Sequence, residues 1–180
     1  IPYPLFALSG MVPWMFFSNA ITETTLSLLN NPSLLSRVYF PRMIIPASQI
    51  LVQFVDFLIA LSLLFIFILF WGNISFFTFV FLPLFVTLLI LLSLGCGLIL
   101  SALTVKYRDI RYVVPFLTLF WQYATPVAYS SSLIPEKWRL LYGLNPMAGV
   151  VEGFRWALLG KGEVGSLIWA SVIIVLLLLI

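Results

Sequence analysis

Residues 57–71 read FLIALSLLFIFILFW. The stretch carries no charge and does not alternate polar with apolar residues. A strand of a membrane β-barrel alternates over about ten positions, so this run is not one. A continuous apolar run reads instead as a helix in lipid, where about 20 such residues cross the hydrocarbon core. The run extends back to position 43 with a single acid, Asp56. Four further stretches have the same character: 5–29, charge-free up to Glu23, then 76–104, 112–129 and 164–180. The expected fold is therefore an all-α integral membrane protein. It is a polytopic bundle of five spans forming one transmembrane domain over 1–180.

Bulk composition agrees. The chain has 180 residues, 63% hydrophobic and 8% charged, with a mean hydropathy of +1.17. Soluble domains carry about 25% charge, so this chain cannot coat a water-facing surface. Nine basic against six acidic residues suit loops beside anionic lipid better than a nucleic-acid groove. Cys96 is the single cysteine, so no disulfide framework exists. The chain opens on Ile1 without a charged leader and ends inside SVIIVLLLLI. The expectation is a piece of a longer protein, truncated at both ends.

Charge is crowded where the spans meet. In SALTVKYRDIRYVVP, residues 101–115, Lys106, Arg108, Asp109 and Arg111 fall within six positions. Lysine and arginine mark the cytoplasmic side of short loops. Arg37 and Arg42 lie in loop 30–42, and Lys106, Arg108 and Arg111 in loop 105–111, so those two loops are assigned to the cytoplasm. The opposite side holds Lys137, Arg139, Arg155 and Lys161, spread along segment 130–163. Ile1 is then outside, and one span is expected to precede it.

Segment 130–163 carries helix signals of its own. Pro135-Glu136 opens one short helix that Gly143 closes. Asn145-Pro146 pairs an N-cap with proline at the first helical position, and Gly160 ends that second helix. Met147, Val150, Val151, Phe154 and Leu158 share one face, Gly149, Gly153 and Ala157 a small one. Glu152 and Arg155 stand three apart, a pairing distance. Two short helices thus lie at, or dip into, the outer membrane surface, as a plain hairpin or as a gate. Gly95, Gly97, Ser93 and Ser101 form a small-residue stripe suited to close helix packing.

Catalytic chemistry is sparse. There is no histidine, the commonest base and metal ligand, and one cysteine cannot build a zinc site. The six acids are scattered. No GxxxxGK[ST] loop occurs, so ATP, if used, is bound by another chain. The chain reads as a non-enzyme with no catalytic, cofactor or metal site. Polar chemistry lies in the spans: Trp14, Ser18, Thr22 and Thr25 on one face; Gln49, Gln53 and Asp56 on another; Thr118, Trp121, Gln122, Thr125 and Tyr129 on a third. Such stripes avoid lipid. They either bond helix to helix or line a conduit, and amides with aromatic rings suit a sugar. Loop 30–46, NNPSLLSRVYFPRMIIP, starts a short amphipathic helix at Asn31-Pro32. It is a membrane-surface element or a docking knob.

The runs LFALSGMVPWMFFSNAI (5–21), LLSRVYFPRMIIP (34–46), VDFLIAL (55–61), LSALTVKYRDIRYVVPF (100–116) and ATPVAYSSSLIPEKWRLLYGLNPMAGVVEGFRWALLG (124–160) together resemble the membrane subunits of type-2 ABC exporters for polysaccharides. The O-antigen type is most similar, with teichoic acid and capsule exporters related to it. The resemblance implies six spans per subunit, a homodimeric conduit for a lipid-linked polysaccharide in the bacterial inner membrane, and two cytoplasmic ATPase subunits that bind ATP and Mg. It assigns ATPase docking to Leu34, Leu35, Arg37, Val38, Tyr39 and Arg42. It places an outer gate over 135–159, with Trp138, Tyr142, Asn145, Glu152, Arg155 and Trp156. Channel lining falls to Trp14, Phe17, Ser18, Thr22, Gln53, Trp121, Gln122, Thr125 and Tyr129, with Tyr123 a further member of the aromatic belt. Lys106, Arg108 and Arg111 come to lie at the inner mouth, near the substrate's diphosphate, where Arg108 and Arg111, three apart on one helical face, are spaced to meet phosphate bidentately. A lipid or drug substrate, or an ion-driven transporter using Asp56 or Glu23, are the alternatives that the residues leave open.

Overall fold

The computed structural model describes residues 3–30, 43–71, 76–129, 142–160 and 166–178. Among these it contains six helices: α1 (Tyr3–Asn30), α2 (Ile44–Trp71), α3 (Phe76–Lys106), α4 (Ile110–Ala124), α5 (Pro146–Leu159) and α6 (Ser166–Leu178). Tyr3–Asn30, Ile44–Phe70 and Val80–Lys106 are long and apolar enough to cross a membrane. Each was expected from its uncharged run. The docking residues Leu34, Leu35, Arg37, Val38, Tyr39 and Arg42, with Trp138 of the outer segment, lie outside the described residues.

α1 is the hub, packed against α2, α3, α4 and α5. Its buried positions, among them Leu5, Trp14, Phe17, Ile21 and Thr25, cover most of its circumference and leave one exposed stripe of Met11, Met15, Asn19 and Glu23, as expected of a helix that others enclose on most sides. Several of its hydroxyls bond within the helix, although the buried Thr24 hydroxyl finds no partner among the described residues. Ser9 donates to the Phe6 carbonyl at 2.8 Å, Thr22 to Ser18 at 2.8 Å, and Thr25 to Ile21 at 2.7 Å. α3 does the same through Ser93, Ser101 and Thr104. Bonding one turn back satisfies a hydroxyl inside its own helix. α2 is the outermost of the three, with Leu51, Val55, Ile59, Leu63 and Ile66 exposed along its length.

Small residues decide the close approaches. A Cβ on Gly97 would sit 2.8 Å from Thr24 of α1, whereas one on Gly95 would sit 3.1 Å from Leu178 of α6. The stripe expected to serve one interface therefore serves two, because positions two apart point to different sides of a helix.

One expectation is corrected. The fourth apolar stretch is helical only over 110–124, not to Tyr129. Thr125 is extended (φ −103°, ψ 138°), as a residue before Pro126 is pushed to be. At 15 residues α4 is about 22 Å long. That is short of the hydrocarbon core. Of the two placements left open for the second short helix, at a surface or dipping in, α5 is not on a surface. Met147, Val150, Val151 and Phe154 are 0% exposed, and Glu152 and Arg155 on the other sides are buried too. It is inserted among α1, α3 and α6. Asn145 caps it, accepting from the Met147 amide at 3.1 Å, and Gly160 closes it at φ 64°.

Two contacts seat α5 on α3. The Thr78 hydroxyl donates to the Ala157 carbonyl at 2.6 Å. Gly153 lies flat against the Phe85 ring, so that an added Cβ would enter the ring itself. Gly153→Ala is therefore expected to destabilise by about 1–3 kcal/mol through overpacking, read as a lower thermal midpoint in detergent. Phe85→Ala in the same chain should recover part of that loss.

Candidate functional site

The polar stripes of α1 and α4 face each other. Ser18 and Thr22, one turn apart on α1, and Thr118 and Gln122, one turn apart on α4, border a cleft of about 240 Å³ with Pro115 and Leu119. Thr22 and Thr118 each donate to a carbonyl of their own helix. Their oxygens keep acceptor capacity for whatever fills the cleft. The cleft thus offers hydroxyls and an amide in an otherwise apolar bundle. On the exposed side of α4, Tyr112, Phe116, Phe120 and Tyr123 form an aromatic row, each at least 67% exposed.

Asn145 joins the C-terminal end of α4 to the start of α5. Its Oδ1 accepts from Trp121 Nε1 at 2.9 Å as well as from the Met147 amide. Its Nδ2 donates to Thr125 Oγ1 at 2.9 Å and to the Ala124 carbonyl at 3.3 Å. One side chain therefore caps α5 and ties it to the end of α4. Beside it Tyr129 donates to the Tyr123 carbonyl at 3.1 Å, which leaves Tyr142 to donate to the Tyr129 oxygen at 2.8 Å. Burial first, then the Tyr142 hydrogen bond, pushes the Tyr129 phenol above its ordinary range. It keeps its proton, and so its donor, at neutral pH. Trp121, Tyr142 and Asn145 also border an open hollow of about 500 Å³.

Beneath this lies Arg155, 1% exposed. Its Nη1 donates to Glu152 Oε1 at 3.1 Å and to the Tyr129 carbonyl at 3.2 Å, and its Nη2 donates to the Val127 carbonyl. The guanidinium also lies over the Phe6 ring, 3.9 Å from its centre. Gly10 makes room, for a Cβ there would stand 2.7 Å from the Val127 oxygen and 2.9 Å from Nη2. α1, the 125–129 turn and α5 are thus joined at one buried cation. The expected Glu152–Arg155 pair is present, but enclosed.

The structure brings Ser18, Thr22 and Gln122 to the cleft and Trp121, Thr125 and Tyr129 to the α4–α5 junction. Trp14 and Phe17 lie in the α1 core at 3% and 0% exposure, with Phe17 edge-on to Trp121 at 5.2 Å. Gln53 is on α2 and is not among the cleft walls. Tyr142, Asn145, Glu152 and Arg155 fall in one cluster, and Trp156 packs on Phe81 of α3 at 4.8 Å. Arg108 and Arg111 do not share a helix face as their spacing suggested: Arg108 is in the turn before α4 and Arg111 in its first turn. Arg111 bonds its neighbour Tyr112 at 2.6 Å, and among the described residues Asp109 has no ion pair. Phe6, Gly10 and the carbonyls of 127 and 129 were not singled out from sequence. Gly10 inside an apolar helix was the available signal.

Removing one partner of a buried pair strands the other charge. Arg155→Met is expected to lower stability by about 3–5 kcal/mol, measured as the detergent thermal midpoint. Combining it with Glu152→Gln should restore part of the loss, because no lone carboxylate then remains buried.

With this architecture in hand, comparison with known proteins is specific. Residues 4–159 match the model of the ABC-2 type transporter family. An O-antigen export system permease protein RfbA of Klebsiella pneumoniae is 27% identical over 154 residues, covering 85% of this chain and 60% of that protein. Its Myxococcus xanthus namesake is 28% identical over 155 residues, with the same coverage. The inner membrane transport permease YadH of Escherichia coli K12 is 33% identical over 86 residues, 48% of this chain and 33% of that one. The chain spans 60% of the length of the O-antigen permeases it matches. Three long apolar helices and a family match over most of the sequence give one conclusion: this multi-pass membrane chain belongs to the ABC-2 type transporter family.

Proposed function

We propose that the chain is the membrane-spanning part of a permease that exports a lipid-linked polysaccharide of the O-antigen kind across the bacterial inner membrane. Two copies form the conduit. Two cytoplasmic ATPase subunits bind ATP and Mg and supply the energy, while this chain makes and breaks no covalent bond. The observation that carries the reading is the α1–α4 cleft, where Ser18, Thr22, Thr118 and Gln122 gather hydroxyls and an amide beside the exposed aromatic row of α4. Hydroxyls and amides bond sugar hydroxyls, and rings pack on the C–H faces of pyranoses. The names of the O-antigen relatives support the same substrate class.

In this reading the 30–42 loop docks on the ATPase, and Lys106, Arg108 and Arg111 stand at the inner mouth. Arg155 and Asn145 hold the outer gate shut until ATPase closure shifts the spans. An ion-driven mechanism is less well supported. Asp56 is exposed on α2 and is not part of the cleft wall.

Two measurements test this on the full-length protein. A mild-detergent pull-down should recover an ATPase in stoichiometric amount, and Arg37→Ala with Tyr39→Ala should lose it. Absence of any ATPase would end the ABC reading for this chain. Separately, Thr118→Val with Gln122→Leu should lower polymer export roughly tenfold, as loss of about one well-made hydrogen bond to sugar implies, with ATPase recovery unchanged. Undiminished export would move the pathway away from this cleft.

A further inference from the structure

A second hollow lies at the opposite end of the bundle from Asn145. It measures about 440 Å³ and is lined by Leu28 near the end of α1, Met43 and Pro46 at the start of α2, and Leu98, Ala102 and Val105 in the last turns of α3. The Ser101 hydroxyl on its wall is already bonded to the Leu98 carbonyl, so its lining asks for an apolar occupant. Spacing by four puts Leu98, Ala102 and Lys106 in one row along α3. The row runs out of the hollow and ends on an ammonium. That ammonium is exposed, lies 5.3 Å from the centre of the Tyr107 ring and among the described residues has no carboxylate partner. It also opens the basic connection to α4, where the spans leave the hydrocarbon.

We infer that this groove holds an acyl chain of an anionic glycerophospholipid, with the lipid phosphate on Lys106. The walls are ends of membrane-crossing helices, so the surrounding solvent is lipid. An alkyl chain gains little by leaving other tails, so selection rests on packing and on the headgroup. An apolar hollow whose wall residue Ala102 is one helical turn from an exposed lysine suits a molecule that is apolar along its length and anionic at its end. None of the groove's walls borders the α1–α4 cleft; the site shares only Lys106 with the inner mouth of the transport reading.

The test is native mass spectrometry of the full-length protein, extracted in mild detergent and exchanged into micelles doped with phosphatidylglycerol or with phosphatidylcholine. Retention of phosphatidylglycerol, one per chain, is expected to exceed phosphatidylcholine by about fivefold, the effect of one lysine beside an anionic headgroup. Lys106→Glu should abolish the preference, and Ala102→Trp, which fills the groove, should abolish retention. Leu28→Trp serves if Ala102→Trp does not fold. Equal retention of the two lipids, or retention unchanged in these variants, would overturn the inference. So would a polyprenyl diphosphate as the retained lipid, which would make the groove a substrate site. A quantitative disulfide between Ala102→Cys and Val38→Cys, in a Cys96→Ser background, would also overturn it by showing that the chain's own loop fills the space.

Discussion

A buried guanidinium constrains the end of this molecule where α1, the 125–129 turn and α5 meet. Arg155 cannot be left alone in an apolar interior, so everything around it is arranged to receive it. Glu152 supplies the charge, Val127 and Tyr129 supply carbonyls, Phe6 supplies a ring face, and Gly10 withholds a side chain. Those partners belong to three parts of the chain. Fixing one cation therefore fixes how α1, the 125–129 turn and α5 sit together. Asn145 repeats the logic with a neutral side chain, spending each of its polar groups on the same junction.

The other end of the bundle follows a different rule. Thr25 and Thr104 bond back along their own helices and no directed bond from the Thr24 hydroxyl crosses to α3, so α1 meets α3 there through shape. Gly97 against Thr24 and Gly95 against Leu178 are the points of closest approach. Without a hydrophobic force between helices in lipid, such fit carries association. One end is thus held by directed bonds and the other by packing.

Much of this was legible in the sequence. The uncharged runs gave the three long helices. Asn145-Pro146 and Gly160 gave both ends of α5, because capping is local chemistry. The spacing of Glu152 and Arg155 gave their pair. What was lost is what depends on distant neighbours. The length of an apolar run could not show that α4 stops at Ala124, although Pro126 held the clue. Periodicity grouped Trp14 with Ser18 and Thr22, and the family resemblance added Phe17, yet only Ser18 and Thr22 border the cleft, since which side of α1 meets α4 is a tertiary fact. Arg108 and Arg111 looked like helix neighbours because spacing does not reveal that the chain turns between them. Burial of α5 on every side had no local signature, for its Gly, Glu and Arg residues resemble those of a surface helix.

The order of residues around Arg155 bears on how the chain is made. Synthesis runs from the N-terminus, and Phe6, Gly10, Val127, Tyr129 and Glu152 all precede the arginine. Each group that will accept it has left the ribosome first. α1, where Ser9, Thr22 and Thr25 bond back within the helix, exposes few unpaired donors while it waits in the bilayer for its neighbours. The costly charge arrives last, when its receptor can already be assembled.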